Sequence, residues 1–156
     1  MFEELAEFPD PNTGQPSNLY KISDVFEDIH QMHKKYGVHD WIDEEMQQQY
    51  DWRRLHKFLE FRLKFLQEEL DETVKAYQDK DKEEIVDGLI DLIVIAVGTL
   101  DAFRVDGPKA WKEVLRANMD KEVGVKETRP NPLGLPDLVK PSSWVGPDHS
   151  GNTGIL

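Results

Sequence analysis

The chain has 156 residues, enough for one domain with a modest core, and its 38% hydrophobic and 32% charged content suits a soluble helical protein. A formal charge of −12 argues against a polyanion such as nucleic acid as partner, because phosphate backbones are bound by stripes of Lys and Arg. There is no cysteine, so disulfides and thiolate chemistry are excluded.

Residues 1–22 carry Pro9, Pro11, Gly14 and Pro16, which interrupt regular structure, and read as an irregular arm. Its opening, MFEELAEF, is acidic and lacks the long apolar stretch of a signal peptide, so a cytoplasmic location is expected. Ser23 or Asp24 caps a first helix in which Val25, Phe26, Ile29, Met32, His33 and Tyr36 recur at helical spacing, and Gly37 ends it. Glu27-x-x-His30 invites comparison with di-iron carboxylate bundles, but those need two such motifs, and the acidic helices downstream carry no histidine. Val38 to Tyr50 is a polar connection, either a loop or a helical turn.

Asp51 then caps a long helix that runs to about Gln78, and Asp79-Lys80-Asp81 turns the chain into a second. So short a link makes the two helices antiparallel. At about 100° per residue, Glu69 falls inside the apolar stripe of the first helix and Glu72 at its edge, with Glu68 further out. The second helix contains LIDLIVIAVGTL, apolar almost all round, and reads as a buried central helix. Glu84, Asp87 and Asp91 nevertheless form a stripe along it. Its apolar run from Leu89 to Leu100 is too short, and with Asp91 too charged, to span a membrane. Carboxylates in an apolar setting cost several kcal/mol each unless paired or bound to metal. Nearby Lys and Arg are few, so a hard divalent cation on oxygen ligands, Mg²⁺ or Mn²⁺, is the economical answer. Arg62 lies on the carboxylate side of the long helix, either as an ion pair orienting Glu69 or as a contact for phosphate oxygens.

Asp106-Gly107-Pro108 breaks the chain and starts a last helix to about Glu122. Asn118 and Lys121 share one of its faces. Residues 124–156, rich in Pro and Gly, form an irregular tail that packs on the domain or on a partner subunit. The fold expected is all-α: a four-helix, bundle-like domain over residues 23–123.

Glu68-Glu69-x-x-Glu72, eleven residues, then Glu84-x-x-Asp87 resembles the EExxE…ExxD signature of the all-α NTP pyrophosphatases, the MazG-like family. The flanks DVFEDIHQMHKKYGV, AWKEVLRANMDK and DLVKPSSWVGPD are similar to phage-type and phosphoribosyl-ATP pyrophosphohydrolase-like members. The resemblance implies Mg²⁺-dependent cleavage of a nucleoside triphosphate to the monophosphate and pyrophosphate. Glu69, Glu72, Glu84 and Asp87 are then the metal ligands, although Asp87 with Asp91 also completes the set. Asp91 is either a fifth ligand or an acceptor behind them, and Glu68 holds a water or acts as base. By the same resemblance His33 lies near the nucleotide base and Asn118 and Lys121 near the phosphate chain. The plainer readings are a histidine packed at a helix edge and an ordinary solvated face. An apolar helix that one subunit cannot cover predicts a homodimer or a dimer of dimers. Two alternatives remain: hydrolysis of phosphoribosyl-ATP, and an inert acidic helical module that serves assembly.

Overall fold

A computed structural model describes residues 24–47, 52–126, 128, 133 and 137–156. The expected arm at 1–22 and the Asp51 cap lie outside them. The described residues hold five helices: α1 (Val25–Lys35), α2 (Val38–Gln47), α3 (Trp52–Asp79), α4 (Lys82–Ala102) and α5 (Gly107–Met119). Two three-residue strands, β1 (Glu122–Gly124) and β2 (Asp137–Val139), pair antiparallel with Val123 opposite Leu138. The fold is all-α.

Three helices start where a side-chain cap satisfies their free N–H groups. Asp24 accepts from the amides of Phe26 and Glu27, Asp81 from those of Glu83 and Glu84, and Asp106 from that of Lys109. Gly37, with φ of 73°, ends α1 and turns the chain directly into α2. Of the stretch read as a polar connection, Val38–Gln47 is a ten-residue helix, and the rest lies outside the described residues. Its apolar residues Val38, Trp41, Ile42 and Met46 sit at helical spacing, and Ile42 is the most completely buried large side chain among the described residues.

α3 and α4 form a long antiparallel hairpin. The core gathers at one end of it, where Ile42, Leu55, Ala102 and Phe103 are buried and Trp41, Phe58, Leu59 and Ile155 pack on them. The Phe58 ring lies 5.1 Å from Trp41 and 5.9 Å from Phe103. Toward the other end the hairpin is bare. Leu70, Val74 and Tyr77 on α3, and Val86, Leu89, Ile90 and Ile93 on α4, are exposed. The helix expected to be buried is thus buried where it meets α3 and α1 and, at its C-terminal end, α2, and is bare elsewhere. The reason is simple: no other described element reaches that far along it.

The chain after β2 lies on its own α5 and on the end of α4. Trp144 Nε1 donates to the Ala117 carbonyl at 2.6 Å, Arg116 Nη2 to the Gly146 carbonyl at 2.9 Å, and the Asp148 amide to Glu113 Oε2 at 3.2 Å. Asn152 brackets Asp106 by both its amide nitrogen and its oxygen, and the Ile155 amide donates to the Phe103 carbonyl.

Candidate active site

Two close approaches fix the register of the hairpin. A Cβ on Gly88 would stand 2.3 Å from Thr73 Oγ1, and one on Gly98 2.9 Å from Arg62 Nη2. Thr73 is thus level with Gly88, and Arg62 with Gly98. Stepping along antiparallel helices from these points sets Glu69 opposite Asp91 and Glu72 beside Asp87, with Glu84 one turn further toward the open end. A glycine at 88 lets the two helices approach closely at this level. Thr73 Oγ1, which fills the gap, donates to the Glu69 carbonyl at 2.7 Å.

The electrostatics follow this geometry. Glu69 and Asp91 are half-buried, whereas Glu68, Glu72, Glu84 and Asp87 are exposed. Desolvation pushes the Glu69 carboxyl above the usual carboxylate range, and the charges of Asp91, Glu72, Glu68 and Asp87 push the same way. Four neighbouring carboxylates thus act on one group, Asp91 first among them, although among the described residues no three of these acids bring ligand atoms within 4.8 Å of one another. Among the described residues, none of the six forms a salt bridge with Lys or Arg; the nearby Lys75 pairs with Asp79 instead. A set of carboxylate oxygens that repel one another and lack a cation partner fits a hard divalent ion.

The other predicted residues lie elsewhere. Arg62 is half-buried and directs Nε to Thr99 Oγ1 at 3.0 Å and Nη2 to the Ile95 carbonyl at 2.9 Å. It fastens α3 to α4 about 10 Å along the helix from Glu69. His33 is buried against Gly98 and donates from Nδ1 to Asp101 Oδ2, 2.8 Å away. Burial holds its pKa below the ordinary value, against the pull of Asp101, so the ring is neutral at neutral pH. Asn118 and Lys121 bond to one another, Nζ to Oδ1, at 2.7 Å at the end of α5.

Asp101 was not singled out in the sequence, yet three histidines surround it. His30 Nδ1 is 2.7 Å from Oδ1, and His39 Nε2 is 2.7 Å and His33 Nδ1 2.8 Å from Oδ2. Their bonds hold the Asp101 carboxyl below the usual range although burial opposes this. One signal for it was present: an aspartate at the end of an apolar helix is as anomalous as Asp91 within it.

No helix of the described residues is long and apolar enough to cross a membrane. No curated protein and no solved structure matches the chain. A family model described as phosphoribosyl-ATP pyrophosphohydrolase matches residues 36–118, more than half of the chain, from the start of α2 through nearly all of α5 and including every acid of the cluster.

Proposed function

Because the chain belongs to the phosphoribosyl-ATP pyrophosphohydrolase family, within the all-α NTP pyrophosphatases, and is a hydrolase acting on acid anhydrides, we propose that its substrate is a ribo- or deoxyribonucleoside triphosphate. The reaction is Mg²⁺-dependent hydrolysis between the α and β phosphates, releasing the monophosphate and pyrophosphate. The observation that carries this reading is Glu69, held above the usual carboxylate range by desolvation and then by carboxylates on two helices, with no salt bridge to Lys or Arg among the described residues.

Glu69, Glu72, Asp87 and Asp91, with Glu84 at the open end, are the residues that would hold Mg²⁺ or, in its place, Mn²⁺. When bound, the ion supplies the positive charge that phosphate oxygens and the carboxylates both need. The chain's own work is to position and to move a proton. Glu68 is exposed beside the cluster and is the proposed base, accepting a proton as water attacks the α phosphorus and the bond to pyrophosphate breaks. Lys121, steadied by Asn118, is the proposed contact for the phosphate chain. No Ser or Cys nucleophile is required.

The bare end of the hairpin supports a homodimer or a dimer of dimers. Val86, Leu89, Ile90 and Ile93 recur at i, i+3, i+4 and i+7, the spacing of a face meant for another helix, and they flank the acids directly. Pairing two such faces would bury the apolar stripe and enclose the site.

The family match favours phosphoribosyl-ATP as substrate equally well, since the anhydride bond and the acid set are the same. Pyrophosphate release from a panel of NTPs, dNTPs and phosphoribosyl-ATP, with Mg²⁺ and with EDTA, decides between them. Release from none of these, with the helical content intact, would contradict the proposal and leave the acids as an assembly surface.

A further inference from the structure

Ten residues beyond Asp91, about 15 Å along α4, lies a second convergence of ligand-type side chains that the acid cluster does not use. It draws on three elements. α1 supplies His30 and His33, the sharp turn at Gly37 brings His39 of α2 back over them, and α4 supplies Asp101. The His30 and His39 rings are 4.6 Å apart, centre to centre, and the His33 ring stands edge-on to His39 at 6.0 Å. One donor atom from each of His30, His39 and Asp101 lies within 4.8 Å of the others. We propose that His30, His39 and Asp101 form a second cation site, chemically distinct from the carboxylate cluster, for a borderline transition ion such as Zn²⁺.

The donor set argues for the ion class. Two imidazole nitrogens and one carboxylate suit Zn²⁺, Co²⁺ or Ni²⁺, whereas Mg²⁺ prefers oxygen alone. Three protein ligands leave a coordination position for water. The neighbours that orient such ligands are also present. His33, buried behind the other two, bonds to Asp101 Oδ2 and fixes the carboxylate, as outer-shell partners of metal ligands do. The atoms now sit at hydrogen-bond separations, and an ion between them needs about 3 Å or slightly more from ligand to ligand. That opening is small and is available. The His30 side chain is 48% exposed and that of His39 26%, so both rings can shift while Asp101, at 15%, stays fixed. The approach is open as well. A cavity of about 440 Å³ borders the cluster, lined by His30, His39, Asp43, Asp101, Arg104 and Asp106 among others; Arg104 pairs with Asp43, and Asp101 and Asp106 leave the wall acidic on balance, which favours entry of a cation.

The test is calorimetric titration of the full chain with Zn²⁺ in a large excess of Mg²⁺, which keeps the carboxylate cluster occupied, with Co²⁺ absorption in the visible as a second readout. The expected result is one Zn²⁺ per chain. His30→Ala and His39→Ala should each weaken it at least tenfold, with unchanged circular dichroism, and Glu69→Gln should not affect it. Absence of Zn²⁺ binding in excess Mg²⁺ would overturn the proposal. So would binding that survives both histidine substitutions, or binding that Glu69→Gln removes. None of these readouts depends on hydrolysis, so the site stands or falls separately from the proposed reaction.

Discussion

Replacing Gly88 by alanine would place a methyl group 2.3 Å from Thr73 Oγ1, about 1 Å closer than such atoms normally approach. The hydroxyl cannot swing away freely, because it donates to the Glu69 carbonyl. The helices must part, or the threonine must leave its rotamer and lose that bond. Overpacking of this kind costs about 1–3 kcal/mol, and alanine's better helix propensity returns up to ~1 kcal/mol. With that gain returned in full, the net loss is up to about 2 kcal/mol, or up to roughly 8 °C in Tm for a chain of this size. Parting the helices also widens the gap between Glu69 and Asp91, so the stabilisation conferred by Mg²⁺ should shrink with it. Thermal melts by circular dichroism, with and without Mg²⁺, measure both effects. In the Thr73→Ala, Gly88→Ala pair the clashing oxygen is gone, and most of the lost Tm should return. A Gly88→Ala protein that melts at the wild-type temperature with its Mg²⁺ response intact would refute the register on which the site is built.

Other consequences can be checked as directly. The folded-state pKa of Glu69 lies above its unfolded value, so its contribution to stability is full below about pH 4.5 and is lost as pH rises through the folded pKa. Without metal at pH 7, Glu69→Gln should therefore melt higher than wild type, while the stabilisation conferred by Mg²⁺, about 2.7 kcal/mol at a concentration 100 times Kd, should be reduced or absent. Both Glu113 and Asp148 are held below the usual carboxylate range, Glu113 by the Asp148 amide and Arg116, Asp148 by bonds from Ser150. The stability these groups give to tail docking is present above their unfolded values and is lost as pH falls below about 4. Trp144 fluorescence should report release of the tail in that range, and a flat profile down to the acid unfolding of the helices would contradict the clasp. The bare hairpin face predicts that light scattering finds a dimer or larger, and that Leu89→Glu with Ile90→Glu shifts it to monomer; a monomeric wild type at micromolar concentration refutes that assembly.

Which features could be read from the sequence depends on how local their causes are. The cap at Asp24 acts within three residues of itself, the turn at Asp81 and the break at Asp106 are as local although their capping bonds were not read, and the spacing of Glu69, Glu72, Asp87 and Asp91 needed only helical periodicity and one short turn. α2 was obscured by its polar residues, although Val38, Trp41, Ile42 and Met46 keep helical spacing. Glu45, buried among them, is made tolerable by Arg54 from α3, a pairing that periodicity does not show. The partners of Asp101 come from 62 to 71 residues away and meet only because Gly37 turns α1 into α2. Arg62 shares a helix side with Glu69, yet its length carries the guanidinium to the α4 carbonyl of Ile95 rather than to the acids. The β1–β2 pair is too short for any alternation to stand out.

The central claim is that carboxylates from α3 and α4 act together, through a divalent ion, to hydrolyse a nucleotide anhydride. Pyrophosphate release by the wild type in Mg²⁺, beside EDTA-treated protein and a Glu69→Gln, Asp87→Asn double variant, tests it most directly. Release is expected in Mg²⁺ alone, with a loss of more than about 100-fold in the double variant with its helices intact. Release that continues at the wild-type rate in EDTA or in the double variant would contradict the claim.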